Sequence, residues 1–482
     1  MRFAGWGLLA VMVATAACGE IVGLGPERVL TDPAVGGAGG QGGGESDDGL
    51  IQCDDPFVWV RSFGDIAQQY VWRVAADGHG GAYFAGQFRG SMTLGDDELV
   101  SRGERDLFVG RIDGDGEVLW ARSFGTEDDD EPSARMVNHP DGVIVVGHNK
   151  SSIDLGDGPH ASIGADADAF VALFSEDGEH RWTSWIGGFG QQGWVDGVVL
   201  PSSGDFVAAG YFTNSVMVGE DFHSAVGGDD ILVTRFRGTD GEPIASRAFG
   251  SVAQDFVKTV AVTADERMVV AGHVGGPIDF GFGASATTDS DGWVALLSSS
   301  LEPAWAKVFV AEEKQQVRAA AVAPDGSIVL HGILYGEVDF GTGVVGPGTA
   351  DGFVARLSSV DGSGIYSEAI GAFSLTSGIS IDEAGDIVWG GAYDEWVTLG
   401  GQMFAPVHDR DALLVKFSST FDVKWVELGT SSSFDDVYSN VVFDDASNLI
   451  VGGRFGGVLD LDGCEPVESA GDTDAFIAKR RP

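Results

Sequence analysis

DLFVGRI at 106–112, DAFVALF at 168–174, DILVTRF at 230–236, DGWVALL at 291–297, DGFVARL at 351–357, DALLVKF at 411–417 and DAFIAKR at 474–480 are seven versions of one heptapeptide. Each opens on Asp, and successive copies start 62, 62, 61, 60, 60 and 63 residues apart, about 61 on average. A glycine closing an apolar run keeps the same period, at Gly86, Gly147, Gly210, Gly272, Gly332, Gly391 and Gly453. A third marker follows about eight residues later, as MTLG, IDLG, VMVG, IDFG, VDFG and VTLG, with LDLDG closing the series. Three markers holding one period seven times make this a repeat protein. The rule of ~100–200 residues per domain, which would divide the chain into about three, therefore does not apply.

Each unit reads as four main strands. In the second copy they are VLWARSFG before Gly125, SARMVNHP, GVIVVGHN and DAFVALF, all rich in Val, Phe, Ile and Trp and bounded by Gly, Asp, Pro or Ser. DGDG, EDG, TDG and VDG supply the positive φ of tight turns, and no amphipathic helical pattern competes, so the fold class is all-β. Repeated four-stranded units bury both faces by stacking linearly or by closing into a ring. The ends favour the ring. The segment FVWVRSFG at 57–64 matches VLWARSFG, while the last segment, DAFIAKR, is the strand that precedes that one in every other unit. Pairing them removes an exposed edge, as closure requires.

With D-x-F-V-x-[RKL], a Gly-bounded turn, an aromatic strand and a Gly-ended V-x-V-x-G strand, residues 53–482 resemble the bacterial seven-bladed β-propeller repeat family of lipoproteins and exported proteins. That resemblance implies a fold and no single activity. The aromatic of the first strand is Trp59, Trp120, Trp182, Trp305 and Trp425, but Ile244/Ala245 and Ile365/Tyr366 replace it in two units.

The N-terminus reads as an address. MRFAGWGLLAVMVATAAC has one Arg, a short apolar run and small residues up to Cys18, too short to span a bilayer when mature. It resembles a lipoprotein signal peptide covering 1–17, with Cys18 as the lipidated residue and Thr15 departing from the usual Leu. Cleavage at an ordinary small-residue site, with no lipid, is the alternative. Residues 18–52, rich in Gly, Asp, Ser and Pro, read as a disordered tether with a reach of roughly 30–35 Å. The expected location is a bacterial membrane, by lipid anchor, at the outer membrane or cell surface. An oxidising compartment permits a bridge between Cys53 and Cys464; two unpaired thiols are the other reading.

Lys and Arg total 28 against 73 Asp and Glu, a net charge of −45, which leaves no basic footprint for nucleic acid. The recurrent Asp106, Asp168, Asp230, Asp291, Asp351, Asp411 and Asp474 occur in every unit, so a structural task such as bonding turn amides is expected. Gln69, Asp130, Gln192, Asp255, Gln315 and Asp436 align in the loops after the first strand, and would form a polar ring for a cation or sugar if those loops share a face. Gln87, His148, Tyr211, His273 and Arg454 follow the marker glycines and differ between units, which makes them the more site-like set. No nucleophile with a spaced acid completes a catalytic group. The acidic loops at 113–117 and 127–131 lack the ligand spacing of a dedicated calcium site, leaving weak calcium binding and no expected cofactor. The function expected is a binding or scaffold module for a protein or glycan. A propeller enzyme of hydrolase, lyase or quinoprotein type and a self-assembling envelope protein are the alternatives.

Overall fold

Each antiparallel sheet takes three strands from one repeat and its fourth from the next, so that Val118–Phe124, read above as the first strand of the second unit, completes the first sheet. The computed structural model describes residues 49–482 apart from 128–134, 151, 164–165, 288–289, 347–350, 372–374, 394–395, 407–410 and 430–436; at 351, 375–377 and 437 the backbone alone is described. Cys18, Asp130, Asp436, the signal segment and nearly all of the tether lie outside the described residues.

In the first sheet the spatial order is Gln69–Ala76, Ala82–Phe88, Asp106–Ile112 and Val118–Phe124. Five more sheets repeat that order, starting from Arg135–His139, Gln192–Val199, Asp255–Val262, Gln315–Val322 and Leu375–Ile381. The seventh joins the two ends of the chain: Val437–Phe443, Leu449–Phe455 and Asp474–Arg480 are followed by Phe57–Phe63 and then Leu50–Gln52. Trp59 there lies opposite Lys479 and Ser62 opposite Phe476. Cys53 and Cys464 are joined by a disulfide beside this sheet, their Cα atoms 4.4 Å apart.

The second and third strands of a sheet are apolar on both faces, as GVIVVGHN and DAFVALF are, because a neighbouring sheet covers each side. The core is accordingly divided into seven hydrophobic clusters among the described residues, each lying between two consecutive sheets. One of them joins Trp59 and Ile477 of the seventh sheet to Val71 and Phe84 of the first. The innermost strands touch in chain order, and Val437–Phe443 also packs on Gln69–Ala76. Radially packed four-stranded sheets of this kind are the β-propeller architecture. The short third marker turns its apolar residues inward, Ile153 and Leu155 in one unit and Ile278 and Phe280 in another, where they join the hydrophobic clusters.

Candidate functional site

The repeated polar positions are occupied by the fold. Oδ2 of Asp106, Asp168, Asp230 and Asp474 accepts a backbone N–H from four or five residues earlier, at 2.9, 2.9, 2.7 and 2.8 Å. Asp291 accepts the Ala311 amide at 3.3 Å, Asp411 is buried, and Asp351 is described by its backbone alone. Burial pushes Asp168 and Asp230 above the ordinary carboxylate range, and Asp474 up to about 6.

The expected polar loop ring needs correction. Gln69, Gln192, Asp255 and Gln315 are fully buried at the start of the innermost strands. Their amides donate to the preceding sheet, as Gln69 N to Thr473 O at 2.9 Å and Gln192 N to Ala167 O at 2.8 Å. Their side chains hold their own loops, Gln69 Nε2 to Asp65 Oδ1 at 2.6 Å and Asp255 Oδ1 to the Ser251 hydroxyl at 3.0 Å. A ring facing solvent would have left these groups to water; burial gives their donors protein partners, as Gln192 Nε2 has in Gly190 O at 2.9 Å, while Oε1 of Gln192 and of Gln315 is buried without one.

Of the asymmetric set, His148, Tyr211 and Arg454 make contacts between consecutive sheets, while His273 packs on its own sheet. His148 meets Tyr211 edge-on with ring centres 6.3 Å apart, Arg454 covers Tyr70 at 4.9 Å, and His273 stacks on Phe256 at 4.7 Å, while Gln87 is buried. Burial, then Lys258 and Arg318, push His273 down to about 3, so it is neutral at physiological pH.

Those two cations lead to a feature that the repeat markers do not carry. A cavity of about 380 Å³ is lined by five innermost strands, with Arg73, Arg135, Asn138, Asp196, Ser380 and Asn440 among its walls. Lys258 and Arg318 occupy the innermost strands of the two remaining sheets, each at a β-bulge. Burial and the adjacent Arg135 hold Arg73 well below the usual guanidinium range, and burial with Arg318 and Arg135 pushes Lys258 down to about 8. Third-strand cations are paired, as Arg111 is to Asp77 at 3.0 Å and Arg235 to Asp205 at 2.6 Å. Arg73 on its innermost strand donates Nη1 to the carbonyls of Trp72 at 2.6 Å and Ser439 at 3.3 Å and makes no ion pair among the described residues, and its Nε, like that of Arg318 and of Arg480 on a third strand, is buried without a hydrogen-bond partner. A cation interrupting an apolar strand, in YVWRVA, FVKTVA and QVRAAA, was the signal present in the sequence.

Two larger clefts, of about 640 and 580 Å³, lie among outer turns. In the first, Glu176 is already engaged, its carbonyl accepting the Trp120 indole N–H. One Ser, His and Asp trio also occurs on the outside: Ser246 Oγ lies 2.7 Å from His223 Nε2 and 3.0 Å from Asp221 Oδ2. Both partners bond the hydroxyl, so no carboxylate orients the imidazole from its other nitrogen, and the order nucleophile, base, orienter is missing. Among the described residues no group of three or more His, Cys, Asp or Glu is arranged to hold a metal.

No protein-family profile matches the chain, and no curated protein does. Similar solved structures include the Dos1 propeller, at 10% identity and TM-score 0.41 over 89% of this chain and 95% of that one. Sqt1 from Chaetomium thermophilum has 10% identity and TM-score 0.41 over 90% and 99%, and YCF48 bound to D1 peptide has 9% and 0.38 over 91% and 99%.

Proposed function

We propose that the chain is a closed seven-bladed β-propeller of the seven-bladed repeat family, exported, lipid-anchored through Cys18 and held off the membrane by residues 18–52, and that it works as a binding or scaffold module for a protein or glycan. Closure is supported by the pairing of Phe57–Phe63 with Asp474–Arg480 and by the hydrophobic cluster between the seventh and first sheets. The observation that carries the functional reading is the division of labour among polar groups. Among the described residues, those repeated from unit to unit are engaged in holding their own loops and the neighbouring sheet, and several that break the repeat lie on the innermost strands and seams. A site on a symmetric scaffold is expected where symmetry is broken.

Full-length protein immobilised against envelope extract and against a glycan array should retain one saturable partner class. Turnover of a small ester, peptide or glycoside substrate with nothing retained would overturn the reading in favour of an enzyme. The anchor is tested separately: Cys18→Ala should move the protein from the membrane to the soluble fraction, and unchanged fractionation would count against lipidation.

A further inference from the structure

We propose that the innermost strands hold a site for a small multivalent oxyanion, phosphate or sulfate, free or as an ester, bound by Arg73 and Arg135 of the cavity wall, with Lys258 and Arg318 on the neighbouring innermost strands adding positive charge. The proposal deepens the binding-module reading and rests on it.

The first argument is charge. Acidic residues outnumber basic ones 73 to 28, so a basic side chain here has every opportunity to find a carboxylate, and Arg111, Arg235, Arg356 and Lys416 each do. These four cations make no ion pair among the described residues. Burial and then Arg135 lower Arg73, with Asp196 opposing them, and burial followed by Arg318 and Arg135 lowers Lys258. Two arginines in the wall of one partly desolvated cavity are unfavourable unless a counter-charge arrives. Asp196 is the carboxylate in the cavity wall, and its Oδ2 is engaged by the Val260 amide at 2.9 Å.

The second argument is what two of the arginines displace. Next to the bulge on an innermost strand, Asn440, Asp196 and Thr259 each accept an amide N–H from the following sheet: Val74 at 3.1 Å, Val260 at 2.9 Å and Ala320 at 3.2 Å. Arg73 and Arg135 hold the same register position in their sheets, as Arg73 lies opposite Ala85 and Arg135 opposite Val146. A guanidinium has no acceptor, so it cannot make this tie. Three sheets make the tie among the described residues, Ala319 and Gly378 leave the same position without an acceptor, and Arg73 and Arg135 put there groups whose chemistry suits forked contact with oxyanion oxygens.

Size fits a small ligand. About 380 Å³ is room for roughly a dozen waters at ~30 Å³ each, hence for a phosphate with part of its ester group and too little for a nucleic acid strand. Asn138, Ser380 and Asn440 add neutral hydrogen-bonding groups to the wall.

The test is titration calorimetry of the full chain with inorganic phosphate, sulfate and a sugar phosphate, against chloride at matched ionic strength. The expected result is saturable binding of the divalent oxyanions with one site per chain, tighter for the sugar phosphate if an ester is the natural form and equal or weaker if the free ion is. Arg73→Gln and Arg135→Gln should each weaken it tenfold or more, with thermal unfolding checked to report folding. For the unaltered protein, affinity should fall as pH rises past about 8, where Lys258 loses its proton. Heats indistinguishable from chloride, or equal affinity in both folded variants, would overturn the site. That failure leaves partner capture by the immobilised protein as a separate readout of the binding-module reading.

Discussion

Trp182 donates its indole N–H to Gly238 O of the following sheet at 3.1 Å, and Trp59, Trp120 and Trp305 make the same bond to Gly114, Glu176 and Ser359 at 3.0, 2.7 and 3.1 Å. Each ring rests on a turn glycine with positive φ, such as Gly178 at 76°, where a Cβ would fall 2.6 Å from the Trp120 ring. The two units that lack the Trp resolve the contact from the other side. Opposite Ala245 the turn carries buried Leu301, and opposite Tyr366 it carries Phe421, which stacks on the Tyr366 ring at 4.7 Å; both have positive φ, 64° and 66°. Space left by a missing ring is thus filled by a side chain at the glycine position. Trp182→Ala should cost about 3–5 kcal/mol in urea unfolding. Ala245→Trp should be destabilising alone and rescued by Leu301→Gly, with a coupling of about 1–3 kcal/mol; additivity would contradict the account. Asp474 gives a prediction in pH. Its carboxyl lies at about 6 in the fold against an ordinary 3.8, so between those values the folded chain holds a proton that the unfolded chain releases. Its contribution is therefore full below the ordinary value and lost as pH rises through about 6. Asp474→Asn should flatten that limb of the stability profile, and an unchanged slope would show that another group carries it.

At the scale of elements, strands were readable because apolar runs, turn glycines and the period agreed. VLWARSFG, GVIVVGHN and DAFVALF become Val118–Phe124, Gly142–Asn149 and Asp168–Phe174. The coupling between elements was less readable. Gly125 follows the fourth strand because the Asp106 carboxylate of the third occupies the space of a Cβ, whose nearest atom would be 2.1 Å away. Gly125→Ala should consequently cost about 1–3 kcal/mol through overpacking, measured as a lowered unfolding midpoint, and Asp106→Ala should relieve part of that cost. The cationic cavity was not legible for two reasons. Its members sit mid-strand, where side chains vary between units, and at or beside bulges that shift register by one residue, as at Val71/Arg73 and Val257/Thr259. Four of the aligned loop polar residues, Gln69, Gln192, Asp255 and Gln315, were by contrast visible as part of a ring and are buried, because alignment reports shared position and not exposure.

For the whole molecule, a net charge of −45 speaks for solubility and hides a local excess of positive charge, since composition averages over surfaces that never meet. Pairing of Phe57–Phe63 with Asp474–Arg480 makes the two chain ends one structural element. The Cys53–Cys464 disulfide links positions 411 residues apart, so Cys464→Ser should lower stability by about 2–5 kcal/mol in chemical unfolding. Loss of the strand from Asp474 onward would leave Leu449–Phe455 and Phe57–Phe63 without their common neighbour, and aggregation through the open edges is expected. Amide hydrogen exchange of the intact protein tests closure most directly. If Phe57–Phe63 and Asp474–Arg480 complete one blade, their amides will exchange as slowly as those of Asp230–Phe236 in the middle of the chain; exchange of both terminal strands as fast as free chain ends would contradict a closed propeller.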